Sequence, residues 1–188
     1  MQPIRIFRKY EKFEFHYEPT DYGSSDIMFR YGEQMVEFHP TYMGSNPLWC
    51  LLIILPDLMA GYDDKCYTRW SSEPGEMRLS ITTERGLAHL LVEEFDMDYE
   101  YKEDDKAHWI TRIDATLPLK HIVKVILDEV DRNIRYYGIV GLCESWERNG
   151  NVIPLNAYLK LKGIKPYTMQ SSTYISSLNN EQHILNKL

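Results

Sequence analysis

The stretch at residues 118–137 constrains the fold more than any other part of the chain. Its apolar side chains recur at steps of three and four, which places them on one side of a helix with 3.6 residues per turn. Pro118 suits the first helical turn and Gly138 suits a left-handed C-terminal cap. Because helix propensity alone stabilises such a segment little, its apolar side must pack against other elements. The apolar positions are Leu119, Ile122, Val123, Ile126, Val130, Ile134 and Tyr137.

The opposite side of this helix is polar, so we expect it to face solvent. Asp131 and Arg135 are four residues apart with the acid first, the better orientation for an ion pair on a helix. The polar positions are Lys120, Lys124, Asp128, Asp131, Arg132 and Arg135.

The residues before this helix are typical of strands. Residues 12–18 alternate between aromatic and polar side chains, which predicts a half-buried strand. Residues 26–39 indicate one bent strand or a short hairpin around Gly32. Residues 49–55 are apolar without alternation, which predicts a central strand covered on both faces and ended by Pro56.

The clearest hairpin joins residues 77–82 to 87–94, where Gly86 supplies the positive φ of a short loop. Between residues 57 and 75 the sequence is rich in polar and turn-forming residues and predicts irregular structure. Residues 109–115 alternate again, which predicts a strand leading into the long helix.

Beyond Gly138, residues 139–146 predict another strand. Residues 152–162 alternate like a strand, yet Pro154 and Gly163 bracket them like a short helix, which we favour. Residues 167–188 are polar, and we expect a flexible tail after a single domain at 1–166.

This order of elements predicts an α+β fold, with a mostly antiparallel sheet of about six strands and the helix at 118–137 packed on one face. The 188 residues suit one domain of this kind.

Composition excludes some classes of function and favours a compartment. A net charge of −7 argues against duplex nucleic acid as a partner, which binds clustered Lys and Arg. The N-terminus lacks the pattern of a secretory signal, and the longest apolar run, 48–55, is too short to span a bilayer. We therefore expect a soluble protein in the cytoplasm that does not associate with membranes.

The three cysteines are Cys50, Cys66 and Cys143, and no CxxC pair is present. This favours a reduced compartment, although the sequence leaves a disulfide between Cys50 and Cys66 open.

The acidic stretch at 93–105 is the first candidate binding site. Its carboxylates begin like a calcium loop, but Tyr101 and Ala107 stand where that loop needs Gly and a bidentate Glu. The alternatives are a solvated acidic loop and an electrostatic docking surface for a basic partner, with tyrosines as anchors. The candidate docking residues are Asp96, Asp98, Tyr99, Glu100, Tyr101, Asp104 and Asp105.

The irregular segment at 57–75 is the second candidate site. Aromatic side chains with nearby carboxylates could hold a sugar or a cation, and a plain surface loop is the alternative. The candidate ligand residues are Tyr62, Asp63, Asp64, Tyr67 and Trp70.

Catalytic signatures are absent from the sequence. It contains no GxSxG, P-loop, GxGxxG or SxxK motif, and its six histidines show no metal-ligand spacing. We therefore predict no catalytic residue, no metal site and no cofactor.

Three hypotheses of function follow. The first is a non-enzymatic protein-binding domain that neutralises a basic partner such as a toxin; the acidic, motif-free α+β type is similar in character to bacterial immunity and inhibitor proteins. The second is an enzyme or small-ligand domain whose site is assembled from scattered residues, which predicts a deep pocket lined by histidines or carboxylates. The third is a structural subunit of a larger assembly, which predicts an exposed apolar patch.

Overall fold

The structure is a computed structural model that describes residues 11–20, 23–41, 46–72, 75–95, 108–146 and 153–164. It confirms the α+β class, with antiparallel strands and a long helix packed against them. The strands form two sheets of three and four strands among the described residues, where the sequence predicts one sheet of about six.

The first sheet has the order β1-β2-β3, and the second has the order β4-β5-β6-β7. All neighbouring strands are antiparallel. The strands are β1 (Phe13–Pro19), β2 (Ser25–Tyr31), β3 (Gln34–Phe38), β4 (Lys65–Ser71), β5 (Glu76–Glu84), β6 (Leu87–Phe95) and β7 (Trp109–Pro118). The helices are α1 (Pro47–Ala60), α2 (Leu119–Trp146) and α3 (Leu155–Leu161).

The prediction of a central strand at 49–55 is wrong, because these residues belong to α1. The Asn46 side chain accepts the Trp49 N–H at 3.1 Å and caps the helix, Pro47 occupies its first turn, and Gly61 ends it with φ 70°. An uninterrupted apolar run does not distinguish a buried helix from a buried strand, and here Pro56 lies inside the helix.

Two further boundaries differ from the prediction. Residues 139–146 are helical and do not form a strand; Gly138, with a non-helical φ of 72° and ψ of 167°, makes a kink that separates them from the longer helical stretch of α2. The segment at 57–75 is not irregular throughout, since α1 runs to Ala60 and β4 follows from Lys65. Pro118 closes β7, and the helix begins one residue later.

Other elements are confirmed. The segment at 26–39 is a hairpin that turns at Gly32, with φ 59°, and residues 155–161 are helical as favoured. The β5–β6 hairpin turns through Arg85 and Gly86, both with positive φ. The predicted tail at 167–188 lies outside the described residues.

The core lies between the inner faces of the two sheets and the helices. Phe29 of β2 and Trp70 of β4 stack at 5.9 Å between ring centroids, which joins the sheets directly. The apolar side of α2 is buried as predicted, apart from Tyr137, which is half-buried. Within the described ranges, no helix has both the length and the apolar character to cross a membrane.

Asp131 corrects the predicted polar side of α2, because it is 8% exposed and does not face solvent. Its carboxylate accepts hydrogen bonds from the Tyr158 hydroxyl and from Lys162 Nζ, each at 2.6 Å. Burial, followed by this bond to Asp131, raises the pKa of Tyr158. These contacts hold α3 against α2.

We predict opposite effects of alanine at two glycines. Gly86→Ala should lower the free energy of unfolding by about 1–2 kcal/mol, because φ 81° is strained for any residue with a Cβ. Gly141→Ala should raise it by about 0.5–1 kcal/mol, because Gly141 lies in α2, where its new Cβ would meet Tyr137 Cβ at an ordinary 3.5 Å. Urea denaturation of both variants tests this. A Gly86→Ala variant more stable than the wild type would contradict the positive φ of Gly86 in the β5–β6 turn.

Candidate functional site

An open groove crosses the outer face of the β1-β2-β3 sheet. Its volume is about 730 Å³, and its lining combines three carboxylates, two histidines, one arginine and three apolar residues. We call it the acidic groove. Its lining residues are His16, Glu18, Asp26, Ile27, Met28, Glu37, Phe38, His39 and Arg132.

Strand alternation places the polar strand residues of the groove and Met28 on the outer face, whereas Ile27 and Phe38 lie on the core side and Arg132 comes from α2. Phe15 and Tyr17 point into the core, so their neighbours His16 and Glu18 point outward. The register then sets Met28 of β2 opposite His16 on one side and Glu37 of β3 on the other. Met28 therefore forms a half-buried apolar floor between a histidine and a carboxylate.

Glu18 is held at one end of the groove by two residues of α2. It accepts hydrogen bonds from the Tyr137 hydroxyl and from Arg132 Nη2, the latter at 2.9 Å. The bond from Tyr137, followed by that from Arg132, lowers the pKa of Glu18. The same bond raises the pKa of Tyr137 to about 12.

The other two carboxylates of the groove, Asp26 and Glu37, have fewer bonding partners among the described residues than Glu18. Asp26 lies 2.5 Å from Nδ1 of His39, and both side chains are more than half exposed. Glu37 is exposed and has no hydrogen-bond or ion-pair partner among the described residues. Glu37 therefore offers the groove an uncompensated negative charge.

Contacts between α2 and the edge of β1 hold in place the strand that carries His16 and Glu18 of the groove. The Tyr17 N–H donates to Glu129 Oε1 at 2.8 Å, and the Tyr17 carbonyl accepts from Asn133 Nδ2 at 2.9 Å and from Arg132 Nη2 at 3.0 Å. We call Glu129, Arg132 and Asn133 the Tyr17 clamp. Because β1 pairs with a strand on one side only among the described residues, the clamp satisfies backbone groups that would otherwise need another strand.

Arg132 links the clamp to the groove. Its guanidinium binds both oxygens of Glu129, at 2.9 and 2.8 Å, and also reaches Glu18. The bond to Glu129, followed by that to Glu18, raises the pKa of Arg132. The positive charge of Arg132 is therefore shared between two carboxylates, one of which, Glu129, is only 5% exposed.

Tyr17 also connects the sheet to α1. Its hydroxyl accepts a hydrogen bond from Asn46 Nδ2 at 2.8 Å, and Asn46 in turn caps α1. One residue of β1 thus fixes the positions of two helices.

Two histidines of the groove lie near carboxylates, His39 next to Asp26 and His16 at 3.7 Å from Glu129. Among the described residues that line the groove there is no serine, threonine or cysteine. In the part of the chain that the structure describes, no three His, Cys, Asp or Glu residues are grouped to hold a metal ion.

The sequence-based candidate residues lie elsewhere. The acidic docking residues at 96–105 fall outside the described residues. Tyr62, Asp63 and Asp64 are exposed in the turn after α1, and Tyr67 is 49% exposed on β4. Trp70 is fully buried in the core, so it is not presented to a ligand, and none of the five lines the acidic groove.

The residues of the groove were not singled out from the sequence. The signal was present in the polar positions of the alternating strands, such as His16 and Glu18, but the sequence alone does not show which strands become neighbours.

The cysteines carry no disulfide in the structure. Cys50 is buried, Cys66 and Cys143 are half-buried, and all three are free. Burial raises the pKa of the Cys66 thiol to about 11, which makes it a poor nucleophile at neutral pH.

Comparison of the chain with protein-family models, with curated proteins and with solved structures gives no match.

We predict that Glu129→Ala lowers the free energy of unfolding by about 2–4 kcal/mol, because it leaves the Tyr17 N–H and part of Arg132 without a partner. The adjacent Asp128→Ala is the matched control; Asp128 is exposed and pairs with Lys124, so its loss should cost less than about 0.5 kcal/mol. Urea denaturation measures the free energy of unfolding of both variants. Equal losses in the two variants would contradict the stabilising role of Glu129 in the Tyr17 clamp.

We also predict a pH-dependent contribution from Glu18. Since its pKa is lowered in the folded protein, it stabilises the fold above the ordinary carboxylate range near about 4.3, and this is lost as the pH falls through the lowered value. Tyr137→Phe should therefore lower the free energy of unfolding at pH 7, by less than about 1 kcal/mol because Glu18 is partly exposed. At acid pH, where Glu18 is protonated, the same substitution should lower it by less. The free energy of unfolding of the wild type and of Tyr137→Phe, measured between about pH 7 and pH 3, tests this. The same difference between the two proteins at every pH would contradict it.

Proposed function

We propose that the chain is a cytoplasmic, non-enzymatic protein-binding domain that neutralises a basic protein partner, in the manner of an immunity or inhibitor protein. The docking face is the acidic groove. Duplex nucleic acid is excluded as a partner in this proposal because it carries the same sign of charge as the face.

The observation that carries the proposal is the charge of this face. Glu18, Asp26 and Glu37 lie together on it, while Arg132, the arginine that lines it, is bound to Glu18 and Glu129. The groove therefore presents three carboxylates around Met28 as an apolar floor, and its one arginine is already bound to carboxylates. A Lys or Arg side chain of a partner is complementary to both features, because its methylene stem can cover Met28 while its charged end reaches Glu37.

The overall charge of the chain supports the same partner. The net charge is −7, and the stretch 93–105 contains eight acidic residues against one lysine. Such a distribution accelerates association with a basic protein and makes it sensitive to salt. The candidate residues of that stretch, Asp96 to Asp105, stay a prediction for a second part of the docking face.

A second candidate function is a small-ligand site in the same groove. The observation that favours it is the pairing of His39 with Asp26, which gives a proton acceptor beside an open volume. The groove is an open cleft lined by histidines and carboxylates, whereas the hypothesis from the sequence required a deep pocket with such a lining.

We predict that a decalysine peptide binds the protein at low salt and that the double variant Asp26→Asn with Glu37→Gln weakens this binding roughly 2- to 30-fold, the equivalent of two exposed charge contacts. Isothermal titration calorimetry at about 20 mM and at about 300 mM salt measures the effect, and the difference should shrink at high salt.

The matched control is Asp63→Asn with Glu84→Gln, which changes the net charge by the same amount at exposed positions that do not line the groove. Equal weakening by the two double variants would show that the peptide responds only to net charge, and the groove would then not be the docking face.

A further inference from the structure

In the part of the chain that the structure describes, one edge of β3 has no neighbouring strand in the first sheet. Tyr31 and Gln34 flank the two-residue turn of the β2–β3 hairpin, so they form a hydrogen-bonded pair. From this pair onward, hydrogen-bonded and non-hydrogen-bonded pairs alternate along the two strands. Arg30 with Met35 and Met28 with Glu37 are then the non-hydrogen-bonded pairs. The backbone N–H and C=O of Met35 and Glu37 therefore point away from β2.

Two hydrogen bonds elsewhere in the sheet support this assignment. The Ser25 N–H donates to the Pro40 carbonyl at 3.2 Å, which continues the same alternation beyond β3. The Tyr17 N–H and C=O point away from β2 on the opposite edge, where α2 binds them. The alternation of the ladder is thus consistent across the three strands.

The outward groups of β3 have no partner among the described residues. No hydrogen bond within that part of the chain reaches the outward N–H or C=O of Met35 or Glu37. Met35 is 45% exposed and Glu37 is exposed, so solvent reaches this edge. The second sheet approaches β3 at Gln34, the residue before Met35, where the Asp114 N–H donates to Gln34 Oε1 at 3.0 Å.

We propose that a basic partner binds by adding an extended segment as a fourth strand, antiparallel to β3, on the edge of β3. This inference rests on the proposed function and specifies its geometry. The backbone of the segment pairs with Met35 and Glu37, and a Lys or Arg side chain opposite Glu37 lies on the outer face.

The geometry of a sheet explains how one segment can pair with the backbone of β3 and also place a basic side chain near the carboxylate of Glu37. Residues directly opposite each other on neighbouring strands point to the same face, with Cβ atoms about 4.5–5.5 Å apart. A basic residue opposite Glu37 therefore reaches its carboxylate, while residues before and after it point to the other face. The partner is accordingly an extended segment with a basic residue at every second position.

The test uses two peptides of about ten residues with alternating lysine and threonine, blocked at both ends. In one peptide the lysine backbone nitrogens are methylated, and in the other the threonine nitrogens are methylated. Composition and charge are the same. In the proposed register only the lysine N–H groups face β3, so methylation of lysine nitrogens removes the pairing and methylation of threonine nitrogens leaves it intact.

We predict that the lysine-methylated peptide binds about 10-fold more weakly than the threonine-methylated peptide by calorimetry at low salt. On binding of the threonine-methylated peptide, hydrogen exchange of the Met35 and Glu37 amides should slow about 10-fold or more, while the Val36 amide, already bonded to β2, should not change.

The outcomes separate the two proposals. Equal affinities of the two peptides, together with unchanged exchange at Met35 and Glu37, would overturn strand addition; if Glu37→Gln still weakened both peptides, the acidic groove would remain the docking face. Absence of binding by both peptides to the wild-type protein at low salt would overturn both proposals.

Discussion

The contact between α2 and the backbone of Tyr17 is the interaction on which the rest of the structure depends. Glu129 accepts the Tyr17 N–H, and Asn133 and Arg132 donate to its carbonyl, so the side chains of a helix complete the edge of a β-strand. Glu129 is buried, and its charge is balanced by Arg132. A buried carboxylate is stabilising only with such partners, and here each partner also holds β1.

This contact gives the first sheet two different edges. On β1 the outward backbone groups of Tyr17 are bound by α2, and Arg132 extends the same network to Glu18 at the end of the acidic groove. On β3 the outward groups of Met35 and Glu37 have no partner among the described residues. Proteins usually protect open edges, so an edge left open beside a negatively charged face is consistent with a binding surface. The rigid edge therefore supports the face that is proposed to bind.

Some of this arrangement could be predicted from the sequence. Alternation identified β1, the β5–β6 hairpin and β7, and periodicity identified the apolar side of α2, because each pattern is local. The helix at α1 was missed because an apolar run such as 49–55 fits a buried strand equally well, and only Asn46 and Gly61 mark its ends. The clamp was missed because Glu129 and Asn133 are polar residues on the buried side of a helix, and their role depends on a strand more than 110 residues away. The acidic groove likewise depends on strand neighbours that periodicity does not specify.

The most direct test of the central claim is hydrogen exchange of the Tyr17 amide in the native protein. If helix side chains complete the edge of β1, this amide should exchange as slowly as amides in the middle of the second sheet, such as Leu90 in β6, and only through extensive unfolding. Exchange of the Tyr17 amide at the rate of an exposed edge residue would show that α2 does not bind β1 in this way, and the account of the first sheet and its groove would be wrong.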